Sequence, residues 1–154
     1  MQMSKSGLYA YFTSKQDLQL ATIECAWAVF AQTVLAPSHD ELETLVERWI
    51  TYYEGEVFPG GCLFVTAGIE FANRDGPVHD ALAAAIERQL TALERAVARA
   101  RDERRLPADI DASQLTFELH AVLTSANQRF RISRNPAAFA HARKATQRLL
   151  QAPT

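Results

Sequence analysis

The chain has 154 residues, a formal net charge of -2, 48% hydrophobic residues and 22% charged residues. This is the composition of a soluble globular protein of one domain, or of one domain plus a fragment, which can build a hydrophobic core without disulfide or metal staples. The slightly acidic balance is mild evidence against a nucleic-acid-binding protein, although a regulator can concentrate basic residues locally.

Several kinds of site are absent from the sequence. The two cysteines, Cys25 and Cys62, have neither disulfide nor metal spacing, and reduced thiols are the default in the cytosol. The four histidines have no partner at i,i+4 spacing: His39, His79, His120 and His141. Nucleophile elbows, P-loops and dinucleotide fingerprints are also missing. We therefore predict no enzyme, no catalytic residue, no metal and no cofactor.

The location is predicted from the same sequence. No basic-then-apolar signal opens the chain, and we find no apolar run that approaches the roughly 18–20 residues of a membrane span. We expect a cytoplasmic protein.

The first informative stretch covers residues 4–18. Leu8 and Phe12 lie four residues apart, on one face of a short predicted helix. Ser14 and Asp17 have the spacing of a capping box, so a second, longer helix should begin at the residue after Ser14. This stretch therefore predicts two helices separated by a short break.

The same stretch carries a resemblance. The run Ser-Lys-Ser-Gly-Leu-Tyr-Ala-Tyr-Phe at residues 4–12, followed by Ser14, Lys15 and Leu18, resembles the recognition helix and next helix start of the TetR family of bacterial transcriptional repressors. Members of that family have two further helices before the recognition helix, whereas three residues precede Ser4 here. The resemblance thus implies an N-terminally truncated member that binds operator DNA poorly.

The resemblance also assigns DNA contacts. Residues at the start of the recognition helix reach base edges in the major groove, while a Tyr and a Lys hold phosphates. The implied base-facing residues are Ser4, Lys5, Ser6, Gly7, Ala10 and Tyr11, and the implied phosphate-binding residues are Tyr9 and Lys15. The alternative is an amphipathic remnant, because Leu8 and Phe12 would each lose about 1.5–3 kcal/mol of burial without the two missing helices.

The rest of the chain has helical periodicity and no pattern of paired strands, so the predicted fold class is all-α. Residues 62–73 are apolar nearly throughout, and periodicity alone would also allow a buried strand there. We prefer a buried helix because no partner strand is readable. The predicted helices are Lys15 to about Leu35, stopped by Pro37; Ser38, in a capping box with Glu41, to about Tyr53; Cys62–Asn73; Pro77 to about Arg104; one capped by Asp111; and one opened by Asn135 and Pro136.

By resemblance, residues 1–20 are the remnant of a DNA-binding domain, and residues 21–151 form a ligand-binding and dimerisation domain. The TetR-like regulatory domain holds a small hydrophobic or aromatic inducer between its helices. The candidate ligand-binding residues are Trp27, Trp49, Tyr52, Tyr53, Cys62, Phe64, Glu70, Phe71, Phe117, His120 and Asn127. Plain core packing is the alternative for each of them.

The last two predicted helices have apolar faces on two sides, which exceeds the need of one monomer core. The TetR family dimerises through these helices, so we expect a homodimer through residues near 111–151. The basic residues between Arg129 and Arg148 have no acidic neighbour in sequence. We interpret them as a solvated rim that pairs with the acidic helix near Glu43 and Glu47, not as a nucleic-acid site.

Cys62 follows two glycines at a predicted helix start, where a thiol pKa can be lowered. A sensor for electrophiles or oxidants is therefore one interpretation, but a small buried apolar cysteine is far commoner. For the whole protein, the resemblance implies a ligand-responsive repressor. The alternative is a dimeric small-molecule-binding module without DNA contact.

Overall fold

The computed structural model describes residues 11–55, 57–58 and 61–151, and every regular element in these ranges is a helix. The helices are α1 (Lys15–Ser38), α2 (Leu42–Glu54), α3 (Leu63–Phe71), α4 (Pro77–Asp102), α5 (Ala112–Ser133) and α6 (Ala137–Leu150). The all-α prediction is confirmed, and residues 63–71 form a helix rather than a strand.

The start of α1 agrees with its capping signal. The Ser14 hydroxyl accepts a hydrogen bond from the backbone N–H of Asp17 at 3.0 Å, and the helix begins at Lys15 as predicted. The Asp17 carboxylate in turn accepts from the Thr13 hydroxyl, and this bond, with those from Ser14, lowers the pKa of Asp17. A carboxylate in the first turn also interacts favourably with the helix dipole.

The end of α1 differs from the prediction. The helix has three segments: an α-helix over Lys15–Phe30, a π-helix over Ala31–Leu35 and an α-helix over Ala36–Ser38. It therefore continues through Pro37, which we expected to stop it. Proline cannot donate to the preceding turn and its ring crowds the carbonyl four residues back, so a widened turn just before Pro37 accommodates both. His39 and Asp40, with left-handed φ of 50° and 61°, end the helix.

The predicted capping box at Ser38 and Glu41 is wrong. Ser38 is the buried last residue of α1, and its hydroxyl donates to the carbonyl of Leu35 at 2.7 Å. Glu41 precedes α2, which begins at Leu42, and within the described part of the chain its side chain makes no capping bond. Ser38 has a carbonyl of its own helix within reach, so its hydroxyl is already engaged.

Two later caps are confirmed. The Asp111 carboxylate accepts from the backbone N–H groups of Ser113 at 2.9 Å and Gln114 at 3.1 Å, and α5 begins at the next residue after Asp111. The Asn135 side-chain oxygen accepts from the N–H of Ala137 at 2.9 Å, at the start of α6. These bonds satisfy amide groups that a helix N-terminus leaves without a partner.

The core lies where α4 meets its neighbours. Helix α4 packs against α1, α2, α3 and α5, while α5 and α6 pair with each other. The large side chains that are fully buried include Phe30, Val34, Leu42, Leu45, Trp49, Ile50, Gln89, Leu93, Val97, Leu119, Leu123 and Phe139. One polar residue, Gln89, lies among them.

Helix α3 is less buried than predicted. Within α3, all of which the structure describes, only Phe64 is buried, and Ile69 is 66% exposed. The exposed Glu70 forms an ion pair with Arg74 at 3.7 Å. The helix covers one side of α4 and turns its other side to solvent, so an apolar sequence does not here imply burial on every face. Before α3, Gly61 has a φ of 88°, and a side chain there would collide with the Arg131 guanidinium.

The expectation that no apolar run approaches the length of a membrane span is corrected by α1. Residues Lys15–Ser38 are long and apolar enough to cross a membrane, with a mean hydropathy of 1.3 over an 18-residue window, 22% of it buried. The core helix of a soluble protein passes the same test. Ile23, Ala26, Phe30 and Val34 follow one another at steps of three and four, and all four are buried in the core.

The basic rim has the predicted acidic partner. The Arg143 guanidinium on α6 contacts Glu47 and Glu54 on α2, each at 2.8 Å. Hydrogen bonds from this guanidinium to Glu54 and Glu47 raise the pKa of Arg143. Glu43 pairs instead with Arg105 at 2.9 Å. The rim therefore ties α6 to α2.

Candidate ligand-binding site

The aromatic residues of α1, α2 and α3 meet around Phe30. Its ring centroid lies 4.9 Å from that of Trp49, 5.5 Å from that of Tyr52 and 6.4 Å from that of Phe64. All three contacts are edge-to-face, the arrangement that aromatic pairs prefer. Trp27 lies one turn before Phe30, with centroids 6.1 Å apart. Four predicted site residues are thus brought together around one buried ring.

His120 on α5 extends this cluster. Its ring centroid lies 5.9 Å from that of Trp49, and its Nε2 lies 3.4 Å from the Thr124 hydroxyl. Burial lowers the pKa of His120, because the charged imidazolium is disfavoured away from water. The ring is therefore neutral at neutral pH, and it can donate one hydrogen bond and accept another.

A cleft of about 200 Å³ lies between α3, α4 and α5, with His120 in its wall. The apolar part of the wall consists of Phe64, Val65, Gly68, Ile69 and Ile86, and the polar part of Gln89, His120 and Thr124. Apolar walls with a few converging polar groups are typical of small-molecule sites.

Some buried polar atoms of α4 and α5 are unpaired among the described residues. Among the described residues, the side-chain nitrogen of Gln89, the hydroxyl of Thr116 and both amide atoms of Asn127 have no hydrogen-bond partner. Each such atom costs about 1–3 kcal/mol, and native proteins usually satisfy it with protein, water or ligand. Thr116, His120, Thr124 and Asn127 follow one another at steps of three and four, so they share one face of α5.

Comparison with known families decides the class of this domain. Residues 38–146, more than two thirds of the chain, match the family described as tetracyclin repressor-like, C-terminal domain. The chain belongs to this family. Such a domain is typically the ligand-binding regulatory domain of TetR-family transcription regulators and is generally not an enzyme. A search of curated proteins finds no match.

Three predicted ligand residues lie away from the interior of this TetR-like domain. Glu70 is exposed and paired with Arg74. Phe71 is half-buried, with the Arg74 guanidinium carbon 4.8 Å from its ring centroid. Phe117 is 70% exposed on α5, next to the buried Thr116. One helical residue turns the side chain by about 100°, so Phe117 points to another side of the helix.

Several residues of the site were not predicted from the sequence, and Phe30 and Gln89 are two of them. Phe30 was not among the candidate ligand-binding residues, although it follows Trp27 by about one turn. Gln89 lies three residues after Ile86 and four before Leu93, so it is a polar residue at an apolar position of α4. That break in the stripe was a readable signal, because a buried amide needs a hydrogen-bond partner.

Cys62 lies just before α3, and its burial and raised pKa argue against a sensor for electrophiles or oxidants. Its thiol is buried beside the hydroxyls of Tyr52 and Tyr53. Burial raises the pKa of Cys62 and outweighs the hydrogen bonds from the backbone of Val65 and Phe64. The thiolate is the reactive form, so its fraction at neutral pH is small.

We therefore expect iodoacetamide at pH 7.5 to alkylate the exposed Cys25 at least about 100-fold faster than Cys62. Mass spectrometry of each cysteine-containing peptide over time would measure both rates. The same reaction in urea is the control, because unfolding should make the rates similar. Equally fast labelling of Cys62 in the folded protein would restore the sensor interpretation.

The predicted DNA-contacting residues lie mostly outside the described ranges. This applies to Ser4, Lys5, Ser6, Gly7, Tyr9 and Ala10. Tyr11 and Lys15 are described, and both are exposed next to the start of α1. Their contacts with DNA stay predictions. In the described ranges, no group of three or more His, Cys, Asp or Glu side chains is placed to hold a metal ion.

The outer surface of α5 and α6 carries a shallow groove of about 410 Å³. It is lined by Ala121, Val122, Ser125, Ala126, Arg129, Ala138, His141, Ala142 and Ala145. Phe117 and Ile132, at 70% and 80% exposure, share the face of α5 that carries Ala121 and Ser125. This TetR-like domain therefore has an outer face with small residues in the middle and large apolar residues at both ends of α5.

Proposed function

We propose that the protein is a ligand-responsive transcriptional repressor of the TetR family, whose inducer binds in the cleft between α3, α4 and α5. One observation carries the proposal. Phe64 lines the cleft and packs edge-on against Phe30 of α1. The helix α1 begins next to the predicted DNA-contacting residues. A movement of Phe64 on ligand binding would therefore be transmitted through Phe30 and α1 to those residues.

The proposed mechanism is a change in the placement of α1. The division into a DNA-contacting part at residues 1–20 and a sensor at residues 21–151 places the boundary inside this continuous helix. A tilt of α1 would change the separation of the two recognition helices in a dimer, and half-sites on DNA lie about 34–36 Å apart. The inducer must bind the two placements with different affinity, because otherwise the equilibrium does not shift.

We further propose a homodimer through α5 and α6. The groove of small residues would let two helices approach closely, and Phe117 and Ile132 would be covered by the partner. A two-fold dimer places the same surface on both subunits, which suits an inverted-repeat operator. With operator DNA as its partner, the protein would act in the cytoplasm.

The second candidate is a dimeric small-molecule-binding module without DNA contact. One observation favours this second candidate: the family match covers residues 38–146, which do not include the predicted DNA-contacting residues. Such a module would act as a sink for the ligand or as a partner that inactivates longer subunits.

The test compares this chain with the product read from the in-frame codons upstream of Met1. Both are incubated with a pool of randomised DNA duplexes, and bound DNA is sequenced. We expect the longer product to enrich inverted repeats with half-sites about one turn apart, and this chain to bind them at least about tenfold more weakly. If the upstream codons lack two helices, or the longer product enriches nothing, the repressor is excluded and the module is favoured.

A further inference from the structure

Helix α5 carries a pattern of charge along its outer face that indicates how two copies of the chain meet. We infer that α5 pairs antiparallel with α5 of a second copy, in the register that places Glu118 of each subunit against Arg129 of the other. This inference rests on the proposed homodimer and deepens it, but it depends neither on DNA nor on a small-molecule ligand.

The two charges lie on one stripe of α5. Arg129 lines the outer groove together with Val122 and Ser125, and Glu118 lies about one turn before Val122. The four residues follow one another at steps of four, three and four, so they share one face of the helix. Arg129 is exposed and Glu118 is half-buried. The stripe therefore has a negative end and a positive end, separated by roughly 16 Å along the helix axis.

Neither charge is neutralised within the subunit. The Glu118 carboxylate accepts a hydrogen bond from the uncharged side-chain amide of Gln114 at 2.8 Å, and among the described residues neither Glu118 nor Arg129 has an ion-pair partner. In α5 and α6, both of which the structure describes in full, Glu118 is the only acidic residue, and the other charged residues are arginine and lysine. A second copy would bring a cation to this carboxylate.

Symmetry and charge together select the orientation. Two copies of α5 can be related by a two-fold axis along the helices, which makes them parallel, or by one across the helices, which makes them antiparallel. The parallel pair would place Glu118 beside Glu118 and Arg129 beside Arg129, and like charges in contact oppose association. An axis across the helices, midway between the two residues, instead places each Glu118 against an Arg129 and forms this pair twice. The charges therefore favour the antiparallel pair.

The apolar residues of the same face agree with this register. The point midway between Phe117 and Ile132 differs by one residue from the point midway between Glu118 and Arg129. The same axis therefore brings Phe117 of each subunit near Ile132 of the other, and both residues are exposed in one subunit. Ser125 lies near the axis, where a small side chain lets the two helices approach to about 8 Å. A shift by one helical turn would separate both kinds of pair.

Charge reversal tests the register on the full chain. Glu118→Arg makes both ends of the stripe positive and Arg129→Glu makes both negative. Each variant alone should therefore dimerise with a Kd at least about tenfold higher than that of the unaltered chain. The variant with both reversals exchanges the two ends and should return to within about threefold of the unaltered Kd. Sedimentation equilibrium at several protein concentrations measures these constants.

A mixture of the two single variants gives the sharpest comparison. The heterodimer has opposite charges at both contacts, whereas each homodimer has like charges at both, so heterodimers should outnumber homodimers by at least about tenfold. Native mass spectrometry separates the three species by mass. Glu87→Arg and Arg95→Glu, at exposed positions of α4, are the matched controls, and their mixture should assort nearly at random. Formation of the heterodimer also shows that both variants fold, so misfolding would not explain weak homodimers.

The possible failures are distinguishable. An unaltered dimer that tolerates both single reversals, or a mixture of the variants that assorts at random, would overturn this register and leave the homodimer standing. A double reversal as weak as the single ones would also overturn it, because the two residues would then act independently. If the unaltered chain were a monomer, the proposed homodimer itself would fail, and this inference with it.

Discussion

Replacing Phe30 with alanine should lower the free energy of unfolding by about 3–5 kcal/mol, the usual cost of removing a buried phenylalanine ring. The ring is fully buried and packs against Trp49, Tyr52 and Phe64, so its loss leaves a cavity bordered by three helices. Domains of this size are usually stable by about 5–15 kcal/mol, so Phe30→Ala should remove a large part of the total. Urea denaturation followed by far-ultraviolet circular dichroism measures the change.

Phe71→Ala is the matched control. Phe71 is also a phenylalanine, but it is half-buried at the end of α3 and contacts the Arg74 guanidinium. Its removal should cost no more than about 1–2 kcal/mol. If Phe30→Ala cost as little as the control, α1 would not be anchored through the aromatic cluster. The proposed coupling between the cleft and α1 would then lose its support.

The existence and type of the helices were predictable because their apolar residues recur at steps of three and four. The residues at which the helices begin and end were less predictable. A Ser-x-x-Glu pattern at residues 38–41 looks the same whether Ser38 opens a helix or closes one. The structure assigns Ser38 to α1, with its hydroxyl on the Leu35 carbonyl. The π-helical turn before Pro37 depends on how the buried part of α1 packs, which no local pattern contains.

The candidate site was predictable only in part, for a related reason. Residue type identified Trp49, Phe64 and His120, because aromatic side chains on the inner faces of helices meet in the core. The same criterion failed for Phe117, since one residue of helical phase separates it from the buried Thr116. Gln89 could be found only by a different criterion, namely that a polar residue at an apolar position of a helical stripe is buried. The unpaired state of its amide depends on what surrounds it in three dimensions.

The second large effect concerns assembly. We expect the unaltered chain to be a dimer in solution and Ala121→Glu to weaken that dimer by at least about 30-fold in Kd. Ala121 lies in the groove of small residues on the outer face of α5 and α6, and it is exposed in one subunit. In a two-fold dimer the substitution would place two larger, charged side chains in the interface, where they lose hydration and separate the closely packed small residues. Light scattering at several protein concentrations measures the dissociation constant.

Ala83→Glu separates this effect from a loss of folding or a general effect of charge. Ala83 is an exposed alanine on α4, outside the groove, so its replacement adds the same charge and should leave the dimer intact. Both variants should keep the helical circular dichroism of the parent, because neither residue is buried in the monomer. A monomeric parent, or a dimer that tolerates Ala121→Glu as well as Ala83→Glu, would mean that α5 and α6 do not pair subunits. The exposed Phe117 and Ile132 would then have no explanation in self-association, and the repressor proposal would lose the symmetry that an inverted-repeat operator requires.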